Sequence, residues 1–121
     1  MARIDDPFAL HDGAAETWDF IRARVLETGV VEQSLKALAL RYVDDPDSID
    51  LAGYEGRELA ALEWAHAIVW DADAASDELW ARLHALFSEE ELVDLGCAVG
   101  FELGRTHFLR TLGHDTHAAA R

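Results

Sequence analysis

Residues 88–113 read SEEELVDLGCAVGFELGRTHFLRTLG, the longest helical pattern in the chain and the one that decides its fold. Ser88 followed three positions later by Glu91 is a capping box, Glu89 and Glu90 sit against the positive end of the helix dipole, and Gly113 supplies a left-handed stop. Gly96, Gly100 and Gly104 recur every four residues between Leu92 and Phe108. Each interior glycine costs about 1 kcal/mol against alanine, so the row predicts a closely approaching neighbour. A second row, Leu95, Val99 and Leu103, is apolar and ends in His107. The row Asp94, Ala98, Glu102, Thr106 and Arg110 is the more polar side. These spacings predict a core helix whose buried face ends at His107, with Cys97 as a small buried hydrophobe.

Working outward, the preceding segment is a second apolar helix over 55–70. Its stretch LAALEWAHAIVW, 59–70, holds only two ionisable groups, Glu63 and His66, and its alanines permit a close approach to the glycine row. Ser76 with Asp77 and Glu78 caps a short helix that buries Leu79, Trp80, Leu83 and Phe87. Upstream, Asp12 caps a helix over 13–27 stopped near Gly29, and 31–43 forms another with Val31, Leu35, Leu38, Ala39 and Tyr42 on its apolar face. The acidic, turn-rich link 44–53 lacks the glycine and terminal glutamate of a calcium-binding loop and reads as a solvated connection. No stretch alternates at period two. The expectation is an all-α, single helical domain of about five helices over 12–113, with an N-terminal arm, 1–11, and a C-terminal tail, 114–121.

Charge excludes several partners. Acidic residues outnumber basic ones 24 to 10, and a formal charge of −14 argues against nucleic acid and anionic membranes. The single cysteine rules out an internal disulfide and any dithiol chemistry within one chain. The lack of a leader or an apolar span predicts a soluble, cytoplasmic chain.

Chemistry concentrates on Glu63 and His66, which share a helix face. Glu-x-x-His is the spacing by which helical bundles hold carboxylate-bridged metals, but no second pair exists to complete such a site, so no metal and no cofactor is expected. If the two apolar helices cross near their small residues, His66, His107 and Glu63 line one cavity, the histidines transferring protons and Glu63 orienting. Trp64, Trp70 and Glu102 are then the residues expected to meet a bound molecule. His114-Asp115-Thr116-His117 reads as a frayed terminus rather than a metal site.

From Arg57-Glu58 with Ala60-Ala61-Leu62-Glu63-Trp64-Ala65, Asp77-Glu78-Leu79-Trp80 and 87–95 (FSEEELVDL), the chain resembles the carboxymuconolactone decarboxylase family, which includes the alkylhydroperoxidase D-like proteins. Residues 20–29 and 35–43 resemble its opening helices, and 100–113 its closing one. The resemblance implies an all-helical fold and a homo-oligomer, a trimer or hexamer. The helix that carries Cys-x-x-Cys and histidine in the redox members is missing after Val43, and their upstream glutamate falls on Ala37. The resemblance therefore implies a non-redox protein that binds or transforms a small molecule by lyase- or isomerase-type acid/base chemistry, not a cysteine-dependent peroxidase. The alternatives are a non-catalytic oligomeric scaffold from the same family and a metal-binding helical protein.

Overall fold

The caps read at Ser76, Ser88 and Gly113 are the caps that form. In the computed structural model, which describes residues 2–116, five helices follow one another: α1 (Asp12–Ile21), α2 (Gln33–Asp44), α3 (Gly56–Trp70), α4 (Asp77–Leu86) and α5 (Glu89–Thr111), with no strand among the described residues. Ser88 Oγ accepts from the Glu91 N–H at 3.1 Å, and Glu91 Oε1 accepts from the Ser88 N–H at 2.9 Å. At the other end of α5, Gly113 takes φ +86°. The Gly113 N–H reaches the Arg110 carbonyl and the His114 N–H the Leu109 carbonyl, both at 3.0 Å, which satisfies two terminal acceptors.

α1 is capped by His11, whose side chain accepts from the Ala14 N–H, and not by Asp12. Past Ile21 it widens into a π turn, Arg22–Leu26, where Glu27 N–H bonds to the Arg22 carbonyl at 3.0 Å. Side chains of the neighbouring α2 take up the carbonyls this turn exposes. Gln33 Nε2 donates to Leu26 O at 2.7 Å, and Lys36 Nζ donates to Val25 O at 2.9 Å and Thr28 O at 2.7 Å. The third Lys36 donor goes to Asp94 Oδ1 of α5 at 2.7 Å, while Asp94 Oδ2 accepts from the Val30 and Val31 N–H groups at 2.7 and 3.0 Å. Lys36 is fully buried, with all three protons placed, so one ion pair ties the end of α1 to both α2 and α5.

α2 packs against both α3 and α5 and is the centre of the fold. Leu35, Leu38, Ala39, Tyr42 and Val43 meet Ala61, Leu62 and Ala65 of α3, Leu83 of α4, and Leu95 and Val99 of α5 in one core. The apolar row of α5 is buried at Leu95 and Val99 as expected, and the more polar row is buried beside it, contrary to the sequence expectation: Ala98, Glu102 and Thr106 are each 0% exposed. Its polar atoms are paired, Glu102 accepting from Arg105 Nε and Nη2 at 2.8 and 3.0 Å and Thr106 Oγ1 donating to Leu103 O at 3.1 Å, which removes the penalty that would otherwise expel them.

The glycine row divides. A Cβ on Gly96 would lie 2.9 Å from Trp64 Cη2 of α3, a close approach as expected, but one on Gly100 or Gly104 would meet nothing within 4 Å. Cys97 and His107 are exposed, and so is Trp80 in part. A row at four-residue steps drifts around a 3.6-residue helix by about 40° per step. From Leu95 to His107 that is roughly 120°, enough to carry a row that begins in the core out to its surface.

The link 44–53 forms two short 3-10 turns, Pro46–Ser48 and Leu51–Gly53, anchored by buried Ile49. The arm is docked: Arg3 N–H donates to Leu112 O at 2.6 Å, the His114 ring meets Ile4 O at 2.7 Å, and Phe8 stacks on Trp18 at 5.2 Å. His114 thus belongs to the folded unit, as does Thr116, which is buried and accepts from Arg110 Nε at 2.9 Å, contrary to the frayed terminus expected there; His117 and the rest of 117–121 lie outside the described residues.

Candidate functional site

One flank of α3 stays open. Glu63, His66 and Trp70 stand at three- and four-residue spacing along it, and α4 turns Glu78 and Arg82 toward them. Together with Leu51 of the preceding turn they line a cleft of about 280 Å³.

His66 is held from behind by α2. The Tyr42 hydroxyl is hydrogen-bonded to His66 Nδ1, and Trp70 Nε1 reaches the same phenolic oxygen at 3.1 Å. An indole N–H only donates, so the phenol accepts from Trp70, and its own proton is left available for Nδ1. Burial raises the Tyr42 phenol above its ordinary value of 10.0, with the Trp70 hydrogen bond opposing, so the hydroxyl keeps that proton. With the hydroxyl donating, Nδ1 is the accepting nitrogen of the ring and Nε2 is the one that carries a proton. Nε2 has no hydrogen-bond partner among the described residues, and the ring is exposed on the cleft wall.

Glu63 does not orient His66. Its carboxylate takes both arms of Arg82, at 2.7 and 3.3 Å, and this hydrogen bonding holds the guanidinium above its ordinary value. Two parallel donors from a facing helix outcompete a single ring nitrogen that a buried tyrosine already claims. Arg82 Nε is buried without a partner among the described residues.

The other expected site residues separate. His107, exposed on α5, is not on the wall of this cleft, so the shared His66–His107 cavity does not form. Trp64 packs instead on Gly96 and edge-on to Trp80 at 6.0 Å. Glu102 is fully buried, held by Arg105, and is not on the wall of this cleft. Trp70 does line the cleft and is 62% exposed.

Tyr42 was missed as a site residue. Its signal was a hydroxyl on an otherwise apolar helix face, which needs a polar partner once buried, with His66 and Trp70 as the two partners spaced to supply one.

A second concavity of about 680 Å³ lies between the arm, α1 and α5, walled by Phe8, Trp18, Ile21 and Phe108 and floored by the bare backbone at Gly100 and Gly104. Among the described residues no group of three or more His, Cys, Asp or Glu side chains is arranged to hold a metal ion, and no helix is long and apolar enough to cross a membrane. Compared with known proteins, the chain matches no family model, no curated protein and no solved structure.

Proposed function

We propose that the protein binds a small organic molecule in the cleft between α3 and α4 and catalyses proton transfer on it, as an isomerase- or lyase-type acid/base catalyst. The observation that carries this reading is the Trp70 to Tyr42 to His66 hydrogen-bond chain, which engages the imidazole at Nδ1 and leaves Nε2 without a partner among the described residues on the wall of a cleft. In the step it suits best, Glu63 removes a proton from the carbon next to a carbonyl. The electron pair moves onto the carbonyl oxygen, and the His66 Nε2–H stabilises the resulting enolate. A neutral imidazole serves this role because its hydrogen bond strengthens as charge develops on the oxygen. Arg82 holds Glu63 in place.

The test is solvent exchange at carbon. In D₂O, the protein is expected to catalyse deuterium incorporation into at least one of a panel of small carbonyl compounds. Either His66→Gln or Glu63→Gln should slow this by a hundredfold or more, in line with the 10²–10⁴ that a positioned acid or base contributes. His107→Gln should leave the rate unchanged. Exchange that survives both substitutions in folded protein overturns the reading.

The order of helices and caps supports a further part of the proposal, a short non-redox relative of the carboxymuconolactone decarboxylase family. A second reading, an oligomeric scaffold without catalysis, is favoured by the exposed apolar side chains Phe20, Val93, Phe101 and Phe108, which are 45–65% exposed. Light scattering should return three or six times the chain mass if that surface is an assembly face. A monomer at high concentration ends that part of the proposal.

A further inference from the structure

We propose a second ligand site: the cleft between the π turn, α2 and the start of α3 binds an amphipathic organic anion, an apolar body ending in a carboxylate. The cleft measures about 790 Å³, and its walls include Trp18, Leu26, Leu38 and Tyr54 together with three arginines, Arg22, Arg41 and Arg105. That size lies within the roughly 300–1,000 Å³ typical of small-molecule sites, and convergent polar groups on apolar walls are their usual make-up.

The arginines carry the argument. In a chain of 24 acidic and 10 basic residues acids are plentiful, and Arg22, Arg57, Arg82 and Arg105 each pair with one. Arg57 pairs with Glu32 and Glu91, Arg82 with Glu63, and Arg22, on the wall of this cleft, with Glu27 at 3.0 Å. The Arg41 guanidinium, exposed at the cleft, makes no hydrogen bond or ion pair with any described residue. Arg105 is pre-positioned: Nε and Nη2 are fixed on Glu102, and the guanidinium lies over the Trp18 ring at 5.3 Å. Its Nη1 has no partner among the described residues. Burial pushes this guanidinium below its ordinary value, with Asp44 opposing, so an anion that reaches it meets a poorly hydrated cation. The cleft thus offers two arginine sites with unspent donors on a surface that otherwise repels anions.

One wall acid, Glu58, stands without an ion pair. It opposes an anion and gives the proposal a second sign to test.

The probe is decanoate, titrated calorimetrically into the full chain, with decanol as the uncharged comparison. Decanoate is expected to bind at least tenfold more tightly than decanol. Arg41→Gln should weaken it at least tenfold, and Glu58→Gln should tighten it. Ala37 is exposed on the cleft wall, so Ala37→Trp fills the space from the surface and should abolish binding with the fold intact by circular dichroism. Gly100→Leu fills the groove beside the arm, on the other side of the shared Trp18 and Arg105, from a position that is not on the wall of this cleft, and should leave binding in place. The proposal is overturned if decanol binds as tightly as decanoate, if Ala37→Trp binds like the parent, or if Gly100→Leu is the change that removes binding.

Discussion

Lys36→Met is expected to destabilise the fold by about 3–5 kcal/mol and to lower Tm by roughly 10–20 °C, the range for breaking one side of a buried ion pair in a domain of this size. Methionine keeps the length and helix propensity of lysine, so the change isolates the charge. Without Nζ, the carbonyls of Val25 and Thr28 lose their donor, and Asp94 loses its cation while its side chain stays only 12% exposed. Urea and thermal melts measure the loss, and a change under 1 kcal/mol would show that water replaces the pair. The pH dependence follows from the same contacts. Burial alone would raise the Asp94 carboxyl, but Lys36 and the Val31 and Val30 N–H groups outweigh it and hold the group below its ordinary value of 3.8. A depressed carboxyl contributes stability that is complete above the unfolded value and is lost as pH falls through the folded one. Acid unfolding below about pH 4 should therefore weaken in Lys36→Met, where less of that contribution remains to be lost.

Gly29→Ala is the second large effect, about 3 kcal/mol or more. Gly29 takes φ +151°, a conformation that side-chain-bearing residues rarely adopt, and a Cβ there would lie 2.3–2.6 Å from the Asp94 carboxylate. Backbone strain of this kind costs about 1–3 kcal/mol. The clash adds to it, because Asp94 cannot move without releasing Lys36 and the two N–H groups it caps. Gly53→Ala is the control, since a Cβ at that position meets nothing within 4 Å. It should stay within about 0.5 kcal/mol. The two effects share Asp94, so Gly29→Ala and Lys36→Met combined should cost less than their sum. Strict additivity in denaturant melts would mean that Gly29 and Lys36 act independently.

The parts of this structure that were legible in the sequence are those fixed by local chemistry. The Ser88 box, the Gly113 stop and the Ser76 cap depend on residues within one turn of each other, and they formed where they were read. Burial of the Leu95 and Val99 row of α5 was legible from its apolar spacing, but burial of the Asp94, Ala98, Glu102 and Thr106 row beside it was not, because it depends on how the polar members are paired. Asp94 and Glu102 look like a solvated row until Lys36, 58 positions upstream of Asp94, and Arg105 are seen to pair them. Lys36 carried a faint signal: Ala39, Leu40 and Val43 stand three, four and seven residues after it, so it lies on an apolar stripe. At the candidate site, Glu63, His66 and Trp70 were legible as one flank of a helix. Their partners Arg82 and Tyr42 were not, because only the crossing of α2, α3 and α4 brings them within reach. His107 was misplaced by extending a four-residue row too far along a 3.6-residue helix.

The central claim is that Tyr42 donates to His66 Nδ1 so that Nε2–H faces the cleft. Long-range ¹H–¹⁵N correlation spectra of the imidazole nitrogens at neutral pH test it without knowledge of a substrate. The expected spectrum shows His66 as the Nε2–H tautomer, with Nδ1 as the unprotonated nitrogen, and Tyr42→Phe moves it toward a mixture. A His66 found as the Nδ1–H tautomer, with Tyr42 accepting rather than donating, would contradict the account.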